Sequence, residues 1–95
     1  MDKRRVVITG MGIISPLGST LDDYWHSLKN GLSGISKITS FDASNFDCQI
    51  AGQVKDFSAE GYIAQKEIKR TERFVQFALV SAKEAIKDAN LDIAK

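Results

Sequence analysis

Three β-branched residues, Val6-Val7-Ile8, open directly onto Thr9-Gly10-Met11-Gly12-Ile13-Ile14-Ser15-Pro16-Leu17-Gly18. This stretch limits the chain's possible folds more than any other. Val and Ile are stiff at χ1 and favour extended backbone. An apolar run without polar alternation belongs to a strand covered on both faces, as in a parallel or mixed sheet between helical layers. Pro16 then removes an N–H and biases Ser15 away from helix, so the strand is predicted to run into a turn that Gly18 closes.

Gly10-Met11-Gly12 after a strand invites comparison with the dinucleotide-binding fingerprint. That fingerprint needs a third glycine and a helix that begins at once, so that its first N–H groups meet the pyrophosphate. Ser15 stands at the third position, followed by Pro16, and helical periodicity resumes only near Leu21. No acidic residue stands where a ribose would be held. Gly10 and Gly12 therefore read as a tight turn inside a sheet, and no cofactor is expected.

The spacing predicts a short first helix. Thr20 is the N-cap, Asp22 and Asp23 suit the positive end of the helix, and Leu21, Tyr24, Trp25 and Leu28 form one apolar face. Gly31 is placed as the residue after the C-cap. From Leu32 to Phe46 the pattern is irregular, with Ile35, Ile38, Phe41 and Phe46 as anchors. Cys48 to Val54 alternates well enough for a short strand, Gly52 hinting at an edge or bulge. A connector follows, with a turn of helix from Ser58. The longest helix is expected to begin near Glu67 or Thr71 and to stop at Asn90. Phe74, Phe77, Ala78, Ala82, Ala85, Ile86 and Ala89 share its face, widened by Val75 and Leu79. That arc is broader than a surface helix needs, and four alanines on it allow another backbone to come close.

A strand needing two cover layers and a helix needing two neighbours exceed what 95 residues can supply. The expected class is α/β, incomplete on its own: a piece of a larger domain. Thirteen basic against twelve acidic residues leave a net charge of +1, without the basic field of a nucleic-acid binder. Cys48 is the single cysteine, so no intrachain disulfide and no thiol-based zinc site is expected, which fits a reducing cytoplasm. The basic start, Met1 to Arg5, precedes an apolar run that Thr9, Gly10 and Gly12 break at once. It is read as neither signal peptide nor membrane span, and no membrane insertion is expected.

The segment Arg5 to Gly18 resembles the N-terminal signature of β-ketoacyl-acyl carrier protein synthases. The likeness continues through Trp25 to Ile35, Ile38 to Asp42, Ile50 to Phe57, and Arg73-Phe74 with the alanine-rich helix behind them. Ser15-Pro16, in place of a serine pair, leans toward the type II elongating synthase. The resemblance implies that residues 1–95 are the N-terminal segment of the N-terminal domain of a thiolase-like αβαβα fold, in a cytoplasmic homodimer. It implies a decarboxylative Claisen condensation in fatty acid elongation, with a cysteine taking the acyl group from acyl carrier protein and two histidines assisting. Those three residues are expected beyond residue 95, so no catalytic residue is assigned within the chain. Two alternatives stay open: a segment of a polyketide-type ketosynthase or chain-length partner, and a free-standing non-catalytic binding module.

Cys48 is not read as the nucleophile. It lies at the start of a short strand, outside the family's nucleophile motif, and no helix N-terminus or adjacent base is evident to lower its pKa. It is expected to be a small half-buried residue. His26 is read as a surface or half-buried residue of the first helix. The local cluster that stands out is Lys66, Lys69 and Arg70, which share a face if the segment is helical. By itself that is a solvated basic patch, moderated by Glu67 and Glu72. The family presents basic residues here to an acidic acyl carrier protein, so docking of that partner is the competing reading.

Overall fold

The computed structural model describes residues 3–93. Met1 and Asp2, the first residues of the basic start, lie outside the described residues, as do Ala94 and Lys95. The elements are α1 (Leu21–Lys29), β1 (Ile35–Lys37), β2 (Ile50–Gly52), α2 (Gln65–Ile68) and α3 (Arg73–Asp88). They fall into two compact units. One is Ile13–Ser58; the other joins residues 3–12 to residues 59–93.

In the first unit, local chemistry sets the ends of α1. The backbone of Thr20 is extended and its hydroxyl accepts from the Asp23 N–H at 3.1 Å, the expected N-cap. At the other end Gly31 adopts φ 64°. Its N–H reaches the Leu28 carbonyl at 3.2 Å, and the Leu32 N–H reaches that of Ser27 at 3.0 Å. Those two bonds make a Schellman ending, which suits a residue without Cβ. Ser27 ties α1 to the preceding turn by donating its hydroxyl to the Leu17 carbonyl at 2.8 Å. The turn closes on itself where the Ser15 hydroxyl donates to the Gly18 carbonyl at 2.8 Å.

β1 and β2 pair antiparallel, with Ile35 opposite Gly52, Ser36 opposite Ala51 and Lys37 opposite Ile50. The Gln53 carboxamide secures the end of this hairpin. It accepts from the Thr39 and Ser40 N–H groups at 3.0 and 3.1 Å and donates to the Lys37 carbonyl at 3.1 Å. Pro16 explains two glycines at once. A Cβ on Gly34 would lie 2.8 Å from the Pro16 Cβ, and one on Gly52 would lie 3.1 Å from its Cγ. Gly52 thus marks the close approach of a proline ring rather than a bulge.

In the second unit the chain from Gly10 to Gly12 lies against α3. A Cβ on Gly10 would stand 2.5 Å from the Ala85 carbonyl oxygen and 2.7 Å from the Ala89 Cβ. One on Gly12 would stand 2.9 Å from the Ala85 nitrogen and closer still to the Ser81 carbonyl. The Met11 N–H donates to the Asp88 carboxylate at 3.0 Å. α3 starts at Arg73, two residues beyond the later expected start, because residues 65–68 form the separate helix α2; it stops as expected. Asn90 takes φ 54°, and the N–H groups of Asn90 and Leu91 reach the Lys87 and Ile86 carbonyls at 3.0 and 3.1 Å.

Several local expectations are corrected. Val6, Val7 and Ile8 belong to no strand, and they are 94%, 67% and 85% exposed. A strand is completed by hydrogen bonds from a neighbour, and among the described residues none lies beside this segment. Ile35–Lys37, inside the stretch expected to be irregular, is a strand because β2 pairs with it. β2 itself is shorter than Cys48 to Val54. The segment after Ser58 makes a turn, not a helix, with the Tyr62 and Ile63 N–H groups both on the Ala59 carbonyl at 3.1 Å.

The wide face of α3 divides. Phe77, Ala85, Ile86 and Ala89 are half-buried, whereas Phe74, Ala78 and Ala82 are exposed, and the most buried position is Val80 at 4%. Only Ala43, Ala59 and Val80 are buried among the described residues. Large apolar side chains such as Trp25, Phe41, Phe46, Ile50 and Phe74 are more than half exposed. Burial on this scale is far below what stabilises a domain of this length.

Tyr62 pins the turn at 59–62 to α3. Its hydroxyl donates to the Glu84 carboxylate in a short contact, and Lys83 donates to the Tyr62 carbonyl. The bond to Glu84 raises the phenol's pKa, with desolvation acting the same way. A raised folded pKa means the neutral phenol is favoured by the fold. Its contribution is fully present below the unfolded value of about 10 and is lost as pH rises through the folded value. In an alkaline titration followed at the tyrosine ring carbons by NMR, Tyr62 is expected to ionise at higher pH than free tyrosine. Ionisation at or below the free value would refute the pin.

Candidate functional site

The two side chains that resemble catalytic groups lack catalytic surroundings. Cys48 is exposed rather than half-buried, and its thiol donates to the Ile50 carbonyl at 3.4 Å. A backbone carbonyl does not activate a thiolate. His26 is exposed on α1, with its Nδ1 3.5 Å from the carboxamide nitrogen of Asn30, the C-cap of that helix. Among the described residues no group of three His, Cys, Asp or Glu side chains is arranged to hold a metal ion. No helix among them is long and apolar enough to cross a membrane. Gly10 and Gly12 face the backbone of α3, which fills the space a phosphate would need.

The basic cluster is better formed. Lys66 lies in α2 and Lys69 is its C-cap, still helical at φ −68°, ψ −22°. These two therefore share a face at i, i+3. The α-helix ends before Arg70, whose N–H turns back to the Glu67 carbonyl at 3.1 Å. The i, i+4 relation between Lys66 and Arg70 thus runs through a tighter turn than expected. All three side chains are exposed.

The structure adds Arg73, the first residue of α3, to this basic stretch. α3 has no acidic residue in its first turn, and the N-cap Glu72 makes no capping bond with its side chain. A cation at a helix N-terminus opposes the helix dipole. The Arg73 guanidinium instead sits 5.1 Å from the centre of the Phe77 ring, within cation–π range. Its spacing of three from Arg70 was the available signal. Gln76, which joins α2 to α3, had none, since an isolated glutamine in a helix carries no pattern.

Known proteins share this sequence and shape. Residues 3–95 match the family described as "Beta-ketoacyl synthase, N-terminal domain". A protein of Synechocystis sp. named 3-oxoacyl-[acyl-carrier-protein] synthase 2 is 50% identical over 93 residues, covering 98% of this chain and 22% of that protein. The protein of the same name from Staphylococcus aureus is 47% identical over 90 residues, covering 95% of this chain and 22% of that one. The chain thus spans about a fifth of the length of the curated relatives it matches. Among solved structures, the ishigamide ketosynthase/chain length factor superposes with a TM-score of 0.85 at 36% identity, over 96% of this chain and 23% of that one. A type II polyketide synthase acyl-carrier protein in complex with its ketosynthase, bound to the hexaketide, gives 0.69 at 30% identity, over 98% of this chain and 21% of that one. The sequence blocks from Arg5 to the alanine-rich helix and the shape they fold into thus lead to one conclusion: the chain belongs to the β-ketoacyl synthase family, matching its N-terminal domain.

Proposed function

We propose that residues 1–95 form the N-terminal segment of a type II β-ketoacyl-acyl carrier protein synthase. The complete enzyme condenses an acyl group with malonyl-acyl carrier protein, with loss of CO2, in cytoplasmic fatty acid elongation, and acts as a homodimer. The observation that carries this reading is the 50% identity over 93 residues to a 3-oxoacyl-[acyl-carrier-protein] synthase 2. In the complete enzyme a cysteine nucleophile and two histidines lie beyond residue 95, and the segment alone is inactive. Its scarcity of buried residues fits a part whose cover is supplied by the remaining layers of a thiolase-like fold. Those layers would cover Val6–Ile8 and the exposed face of α3.

Within that enzyme, Lys66, Lys69 and Arg70 dock the acidic acyl carrier protein. Their exposure on one short helix and its turn supports this, as does the neighbour described as a carrier protein in complex with its ketosynthase. A polyketide ketosynthase or chain-length partner is the second reading, favoured by the TM-score of 0.85 to a ketosynthase/chain length factor. Supplied with acyl- and malonyl-carrier protein, the complete enzyme is expected to release CO2 and form the 3-oxoacyl product. The isolated 95 residues are expected to give neither product nor a cooperative melt by circular dichroism. No product from the complete enzyme would overturn the activity, and a cooperative monomeric melt of the segment would overturn its dependence.

A further inference from the structure

The basic cluster sits on a helix that cannot hold itself. α2 has four residues, and a single helical turn fixes several dihedrals for very few hydrogen bonds. Its N-cap, Ala64, offers no side-chain cap. Order in α2 and in the turn after it must come from side chains outside the helix.

Two side chains supply it. The Thr71 hydroxyl donates to the Glu67 carbonyl at 2.8 Å. The Gln76 carboxamide nitrogen donates to the Ile68 carbonyl and to the Thr71 carbonyl, each at 3.1 Å, and lies 3.4 Å from the Thr71 hydroxyl. Gln76 is half-buried on α3, and its own N–H bonds to the Glu72 carbonyl at 3.1 Å. One carboxamide on a sixteen-residue helix therefore grips both ends of the 68–71 segment, and Lys69 and Arg70 lie between the grips.

We propose that Gln76 is the positioning residue of the carrier-facing turn, holding the backbone of Lys69 and Arg70 in place before the partner arrives. The proposal rests on the docking reading above. Fixing the turn in advance spares the ordering cost that two long basic side chains on a loose loop would impose on association. The chemistry of the site requires a donor, because all three atoms facing the nitrogen are oxygens. Methionine keeps the length without the donor. Glutamate puts a carboxylate against carbonyl oxygens.

The test uses the complete enzyme with Gln76→Met and Gln76→Glu. The same acyl group is presented on acyl carrier protein and on N-acetylcysteamine. Loss of the donor is expected to raise KM for the carrier-borne substrate about three- to tenfold, the range one neutral hydrogen bond spans, with kcat unchanged. The small thioester should react as before, and amide exchange across Lys69 to Thr71 should accelerate. Gln76→Glu should show the larger effect on both counts. Joined to charge reversal at Lys66, Lys69 and Arg70, Gln76→Met should add little. An unchanged carrier KM in Gln76→Met, alongside a raised one in the charge-reversed enzyme, would overturn the positioning role alone. Equal losses with both substrates would overturn it as general damage. A charge-reversed enzyme with normal carrier KM would remove the docking reading and this role with it.

Discussion

Gly12→Ala, introduced into the complete enzyme, is expected to cost about 3 kcal/mol or more of stability, because overpacking of this kind meets backbone rather than a yielding side chain. The added Cβ would sit 2.9 Å from the Ala85 nitrogen, closer to the Ser81 carbonyl, and 3.0 Å from the Glu84 Cβ. Two of those three atoms belong to the main chain of α3, which cannot swing aside without breaking helical hydrogen bonds. Relief requires the Gly10–Gly12 segment to lift off the helix, and the Met11 bond to Asp88 would go with it. Gly31→Ala is the control. Gly31 has a positive φ of 64°, but a Cβ there would meet nothing within 4 Å. Its cost should be only the left-handed penalty, on the order of 1 kcal/mol. Thermal melts and soluble yield of the two variants make the comparison. If both melt together, close packing of Gly12 on α3 is not what the residue is for.

Reversing the charges at Lys66, Lys69 and Arg70 together is expected to raise KM for carrier-borne substrate about tenfold to a hundredfold at low salt, while sparing a small thioester. Exposed charges act on an acidic partner mainly during approach, so the loss should lie in the association rate. It should also shrink with salt, because the screening length falls from about 10 Å at 0.1 M to about 3 Å at 1 M. Steady-state kinetics at two ionic strengths measure both effects. Equal losses with both substrates, or no loss, would exclude docking. Arg73 is a useful internal comparison. It extends the same basic stretch but is held over the Phe77 ring, so its reversal combines lost packing with lost charge.

Much of the local structure was readable because its causes lie within a few residues of their effects. Thr20 caps α1 through the N–H three positions on. Gly31 and Asn90 end their helices because a glycine or asparagine tolerates the left-handed region. The helical spacing of Lys66 and Lys69 was visible for the same reason. Family membership was legible as well, since it rests on the order of residues from Arg5 to the alanine-rich helix.

What the sequence left undetermined depends on partners far along the chain. Val6-Val7-Ile8 has every local mark of a strand, yet a strand exists only where another supplies its hydrogen bonds, and none of the described residues does. Ile35–Lys37 has weak local marks and is a strand because Ile50–Gly52 pairs with it. Ala85 and Ala89 are half-buried on α3 where the Gly10–Gly12 segment lies against them, and periodicity alone does not reveal that. Gln76 joins two helices through carbonyls at positions 68 and 71, a role that no local pattern around it marks. The opening stretch shows the division most plainly. Its residues determined the turn, the glycine placement and the family. Only the tertiary structure decided that Gly10 and Gly12 make room for a helix backbone, because the space a missing Cβ leaves has meaning only once something occupies it.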